Sequence, residues 1–136
     1  MYEIILGIDD SERRAIAQAE TVVGLPNAAE TVHATLFHDF TENPTGASVH
    51  QVASVRRASD HLGEAGVAVT LEESSGDPAR EILALADERD ADLVCLAGRK
   101  RTPASKAVFG SVTQEVILNA NRPVLVCSPG QADDSE

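Results

Sequence analysis

The chain has 136 residues, 43% of them hydrophobic, with 22 acids against 11 basic residues and a formal net charge of −11. That length and apolar share fit one folded domain around one core and exclude a disordered chain. The acidity disfavours nucleic acid as a partner, because affinity there comes mainly from neutralising phosphates, and with no Trp, one Tyr and three Phe a base-stacking platform is also disfavoured.

No apolar run reaches the ~18–20 residues of a membrane-spanning helix, and no signal-peptide pattern opens the chain, so a soluble, cytoplasmic protein without membrane partners is expected. Only Lys100 and Lys106 are lysines. Abundant Asp and Glu with so little Lys suits a salt-rich cytoplasm, as in a halophilic organism, where carboxylates keep the surface hydrated and self-repulsion is screened.

Tyr2–Ile8 (YEIILGI) is a nearly continuous apolar run, the pattern of a strand covered on both faces. Residues 11–24 then place Ala15, Ile16, Ala19, Val22 and Val23 at helical spacing until Gly24 and Pro26 stop the helix. Thr31–Phe37 is the second strand. A loop with Asn43, Pro44 and Gly46 leads to a helix from about Ser48 to Ala65, with Val52, Val55, Leu62 and Ala65 on one face. Val67–Glu73 is the third strand, and its alternation suggests a less buried place near an edge. Asp77 as N-cap and Pro78 at the first helical position open the next helix, with Ala79, Ile82, Leu83 and Ala86 as its apolar stripe. Asp92–Gly98 is the fourth strand. Ser111 and Gln114 have the S-x-x-Q spacing of a capping box for the last helix, whose buried face is Val112, Val116 and Ile117. Arg122–Cys127 is the fifth strand, so a single domain over residues 1–128 is followed by an acidic tail, 129–136, expected to fray.

Five strands alternating with four helices through short connections define an α/β fold, a parallel sheet with helices on both faces. Ligands of such sheets bind beyond the carboxyl ends of the strands, where strand order reverses. Three loops therefore hold the candidate residues: Asp9, Asp10 and Ser11 after the first strand, His38 and Asp39 after the second, and Gly98–Ser111 after the fourth. Asp9 can accept hydrogen bonds from a ribose hydroxyl or a base amine, while Asp10 or Ser11 caps the first helix. The third loop, GRKRTPASKAVFGS, carries Arg99, Lys100, Arg101 and Lys106 and no acid. Gly98 allows close approach of a ligand, and Gly110-Ser111 opens a helix whose free N–H groups favour an anion. Together these features describe a phosphate cradle, although each one alone also fits a solvated loop.

Other chemistries lack their residues. A phosphoacceptor receiver domain needs an Asp ending strand three and a Lys ending strand five, where this chain has Glu72-Glu73-Ser74-Ser75 and Cys127-Ser128-Pro129. No Walker A loop, G-x-G-x-x-G fingerprint or nucleophile elbow is present, and no general base stands beside a nucleophile. His33, His38, His50 and His61 have no metal-ligand spacing, so no metal site is assigned to them. Cys95 and Cys127 lie far apart in apolar segments without a C-x-x-C motif and read as small buried residues in a reducing compartment.

ILGIDDSE at the first strand, TLFHDF at the second, DLVCLAGRKR at the fourth, FGSVTQEVI entering the last helix and the final NANRPVLVC together resemble the universal stress protein family over nearly the whole chain. The resemblance implies a Rossmann-like (adenine nucleotide alpha hydrolase-like) sheet in the order 3-2-1-4-5 and a homodimer paired through the last strand, Arg122–Cys127. It also implies binding of ATP or a related adenine nucleotide through a G-x2-G-x9-G-[ST] loop, with Mg2+ as a candidate companion ion. On that pattern Asp9 matches the acid near ribose and adenine, and Asp39 falls where backbone groups line the adenine pocket. Gly98 matches the first loop glycine, and Gly110, Ser111 and Val112 match the phosphate end. Arg101 stands where the second glycine is expected, and eight residues rather than nine separate it from Gly110. Arg101 either offers a bidentate phosphate contact or marks a family member that binds no nucleotide.

The leading expectation is a homodimeric, nucleotide-binding stress-response regulator with at most slow ATP hydrolysis. The alternative is an interaction module without nucleotide, its basic loop meeting an acidic partner. An ATP-consuming enzyme is the third reading, disfavoured by the missing activated nucleophile.

Overall fold

A computed structural model describes residues 1–40, 46, 48–98 and 110–128. Five parallel strands, β1 (Tyr2–Gly7), β2 (Val32–Asp39), β3 (Ala68–Ser74), β4 (Leu93–Ala97) and β5 (Val124–Cys127), form one sheet in the order β3-β2-β1-β4-β5. The expected order and parallel pairing are thus those observed, with β3 at one edge and β5 at the other. The helices are α1 (Glu12–Val23), the single turn α2 (Ala28–Thr31), α3 (Ala53–Glu64), α4 (Pro78–Glu88) and α5 (Ser111–Asn119).

Alternation along the strands sorts the core into two layers. Ile4, Leu6, Ala34, Leu36 and Cys95 pack on one side with Ala15, Ala19 and Val22 of α1 and Val55, Ala58 and Leu62 of α3. Ile5, Phe37, Val94 and Leu96 pack on the other with Ala79, Ile82 and Ala86 of α4 and Val116 of α5. The near-continuous apolar run of β1 follows from its central place, since Ile4, Ile5 and Leu6 are all at 0% exposure.

Several boundaries differ from the sequence reading for local reasons. The segment expected as one helix from Ser48 divides into a 3-10 turn, Val49–Gln51, and α3, with Val52 in extended conformation between them. The one-turn α2 was not expected; Asn27, in the left-handed region at φ 56, starts it after Pro26. The expected Ser111–Gln114 capping box is not formed. Gly110, which has no side chain to cap with, is the N-cap of α5, and Ser111 is already helical. Arg122 lies before β5 rather than in it. Its guanidinium donates to the carbonyl of Ala86 (2.8 Å) in the last turn of α4 and to that of Ala91 (2.7 Å) in the connection to β4. On α5, Ile117 is 40% exposed and the buried place expected of it belongs to Thr113. The buried face of α4 uses Leu85 in place of Leu83.

Candidate functional site

Strand pairing opens a crevice at the carboxyl end of the sheet. β1 stays paired with β2 as far as Gly7 with Phe37, and Ile8 N–H donates to the Phe37 carbonyl. Its pairing with β4 stops at Leu6 with Cys95. Where this pairing ends and strand order reverses, Gln18 of α1 reaches the Gly7 and Cys95 carbonyls. The Gln18 Nε2 donates to both, at 2.9 and 3.1 Å, and the side chain is fully buried. One amide thus satisfies the backbone where the strands part.

Above this point lies a cavity of about 240 Å³, walled by the ends of β1 (Gly7 to Asp10), β2 (Phe37 to Asp39) and β4 (Leu96, Ala97) and by the starts of α4 (Pro78, Ile82) and α5 (Gly110 to Thr113). Its floor is apolar: Phe37, Ile82 and Leu96 are each 3% exposed. Gly7 leaves room there. A Cβ at that position would come within 2.7 Å of Leu96 Cδ2 and 3.0 Å of Ile82 Cδ1.

The β1–β2 rim is acidic. Asp9 Oδ1 accepts from Ser11 N–H at 2.9 Å and its Oδ2 accepts from Arg14 Nε at 2.9 Å, so the carboxylate is held in one orientation. It remains 49% exposed, and each oxygen keeps a lone pair for a ligand donor. The Asp9 carbonyl accepts from the buried Ser54 hydroxyl at 2.5 Å, tying this turn to α3. Ser11 is the N-cap of α1, its side chain accepting from Arg14 N–H at 3.2 Å, while the Asp10 side chain is 95% exposed. His38 is buried and donates from Nδ1 to the Ile8 carbonyl at 2.8 Å. Its Nε2 is left toward Asp10, 3.7 Å away. Asp39 lines the cavity, but its carboxylate turns to β3, accepting from the Ser74 hydroxyl (2.8 Å) and Gly76 N–H (3.4 Å).

The opposite rim is the start of α5. Ser111, Val112 and Thr113 carry first-turn N–H groups without intrahelical acceptors, and among the described residues no N-cap side chain bonds to them. Thr113 spends its hydroxyl on the Ala97 carbonyl at 3.2 Å, which fixes the helix start against the end of β4. An anion is favoured at this rim and hydrogen-bond donors at the other.

Of the residues selected from sequence, Asp9, Asp39, Gly110, Ser111 and Val112 line one cavity. Gly98 continues the β4–β5 ladder by donating to the Cys127 carbonyl at 2.8 Å, one residue beyond the cavity wall at Ala97. Arg101, with Arg99, Lys100 and Lys106, lies outside the described residues. Gly7, Gln18 and the Pro78–Ile82 wall were not foreseen. Gln18 left a signal: it is the polar residue inside the α1 stripe of Ala15, Ala19 and Val22.

These features define a Rossmann-like α/β domain with a polar-rimmed crevice at its switch point. The chain belongs to the universal stress protein family, whose family model matches residues 1–128. A universal stress protein of Mycolicibacterium smegmatis is 36% identical over 70 residues, a stretch that covers 51% of this chain and 54% of that relative. The chain thus matches about half the length of this curated relative. Among solved structures, a universal stress protein in complex with cAMP aligns over 94% of this chain and 97% of its own, with TM-score 0.69 and 22% identity. The universal stress protein from Archaeoglobus fulgidus in complex with dAMP aligns over 93% and 98%, with TM-score 0.63 and 20% identity.

Proposed function

We propose that this chain binds an adenine nucleotide, ATP or a close relative, in the switch-point crevice and acts as a stress-response regulator. The observation that carries the reading is the polarity of the cavity: an oriented carboxylate, Asp9, faces the glycine-capped start of α5 across an apolar floor. A nucleotide has the matching order of groups, with donors on the sugar and base, a flat apolar ring, and phosphate. The solved relatives bound to cAMP and dAMP support the same ligand class. Asp9 takes the ribose or base donors, backbone at Asp39 borders the base, and Gly110, Ser111 and Val112 receive phosphate, with Gly98 and Arg101, which stand at the family loop's first two glycine positions, as further contacts. In the same reading the protein is cytoplasmic and pairs as a homodimer through the β5 edge, whose Val124, Leu125 and Val126 are half-buried.

Calorimetric titration with ATP, at low and high salt and with and without Mg2+, tests the proposal. Binding is expected, and folded protein that takes up no heat of binding refutes it. Gly110→Leu separates ligand space from backbone strain. At φ −70 and ψ 165 any residue fits the chain path, so folding should persist while nucleotide affinity falls at least tenfold.

A further inference from the structure

Cys95 on β4 and Cys127 on β5 are 32 residues apart in sequence, yet their Sγ atoms lie 3.4 Å from each other. Both are free thiols buried on the α1 side of the sheet, away from the cavity floor. We propose that this pair is a reversible oxidation site, converted by a hydroperoxide into an intramolecular disulfide that links β4 to the edge strand β5. The inference does not depend on what the cavity binds.

The two thiols are chemically unlike. The Cys127 thiol is lowered to about 7, because the hydrogen bond from Cys95 outweighs the opposing effect of burial and the Thr21 hydroxyl adds to it. Cys95 is raised well above the usual thiol range by that same hydrogen bond and by burial. Cys127 is therefore the nucleophile and Cys95 holds the proton. The Cys127 thiolate attacks one peroxide oxygen; an S–O bond forms, the O–O bond breaks, and the departing alkoxide takes a proton to become an alcohol. The Cys127 sulfur, now a sulfenic acid, is oxidised by two electrons. The Cys95 sulfur then attacks it, the S–O bond breaks, and hydroxide leaves with the Cys95 proton as water. Two thiols and one hydroperoxide yield one disulfide, one alcohol and one water.

Geometry makes the product labile. Cys95 pairs in register with Leu125, and Cys127 with Ala97, so the cysteines face each other diagonally. Reaching a sulfur–sulfur bond of about 2.05 Å requires a shift of the strands or side chains. The shift falls at the end of β5, the shortest of the five strands, whose last residue is Cys127. Strained disulfides are the readily reduced ones, which suits a switch in a reducing compartment.

The test treats reduced, folded protein with one equivalent of tert-butyl hydroperoxide. The chain has only two cysteines, so thiol labelling after denaturation reads the pair directly. Both thiols should disappear together, with the intact mass lower by two hydrogens, the protein free of intermolecular disulfides, and both thiols restored by dithiothreitol. Cys95→Ala should stop at a sulfenic acid trapped by dimedone, and Cys127→Ala should leave Cys95 reduced. The wild-type rate should rise about tenfold between pH 6 and pH 8, as the thiolate fraction does for a thiol near 7. Thiols that survive in the folded protein, a sulfinic acid product, or disulfides only between chains would each overturn the proposal.

Discussion

Replacing Gln18 by Leu is the sharpest test of how the crevice is held open. The amide donates to the Cys95 carbonyl, at the last pair of β1 with β4, and to the Gly7 carbonyl just beyond it. Leu has a similar volume and fills the same buried space, so the loss is of hydrogen bonds rather than of packing. The Cys95 carbonyl stays in the β1–β4 ladder, where Leu6 pairs with Cys95, and loses only its second hydrogen bond, at a cost of about 1–1.5 kcal/mol. Gly7 lines the cavity, so water can replace the amide at its carbonyl, and the loss there is about 1 kcal/mol. Against this, Gln18 Oε1 is itself buried without a partner among the described residues, and its removal returns about 1 kcal/mol. The net expectation is a destabilisation of about 1–1.5 kcal/mol, or a melting temperature lower by roughly 3–6 °C for a domain of this size. Urea denaturation followed by circular dichroism measures it. A Gln18→Leu protein within about 0.5 kcal/mol of the parent would refute the argument that this amide satisfies the switch point.

Gly7→Ala should cost about 1–3 kcal/mol by overpacking against Leu96 and Ile82, and should weaken ligand binding because both side chains form the cavity floor; paired denaturation and titration measurements check it. Ser54→Ala removes the hydroxyl that holds the Asp9 carbonyl, and about 1–2 kcal/mol of stability should go with it, together with faster hydrogen exchange in the Asp9–Ser11 turn. Arg122→Met should lose about 2–3 kcal/mol in a urea titration, since the guanidinium serves the Ala86 and Ala91 carbonyls and Asp87 from a largely buried position. If the acidic surface is an adaptation to salt, KCl at about 2 M should raise the melting temperature relative to about 0.1 M, through screening of the net charge of −11.

The alternation of apolar runs with helical stripes was enough to read five strands, a parallel sheet and the crevice at its carboxyl end. Period-two burial, N-caps such as Asp77 with Pro78, and glycine stops are local signals that need no knowledge of neighbours. Asp9, Gly110 and Ser111 were legible for the same reason, because each sits at a junction between a strand and a helix that the pattern itself marks. Tertiary structure decided what happens between elements. It turned the Asp39 carboxylate toward Ser74. It also gave the α5 cap to Gly110, since a helix begins where packing against β4 permits, through Thr113 and Ala97, and not where a motif suggests. The roles of Gln18 and of the Cys95–Cys127 pair exist only after β1, β4 and β5 are laid side by side, because both depend on which strands part and which meet.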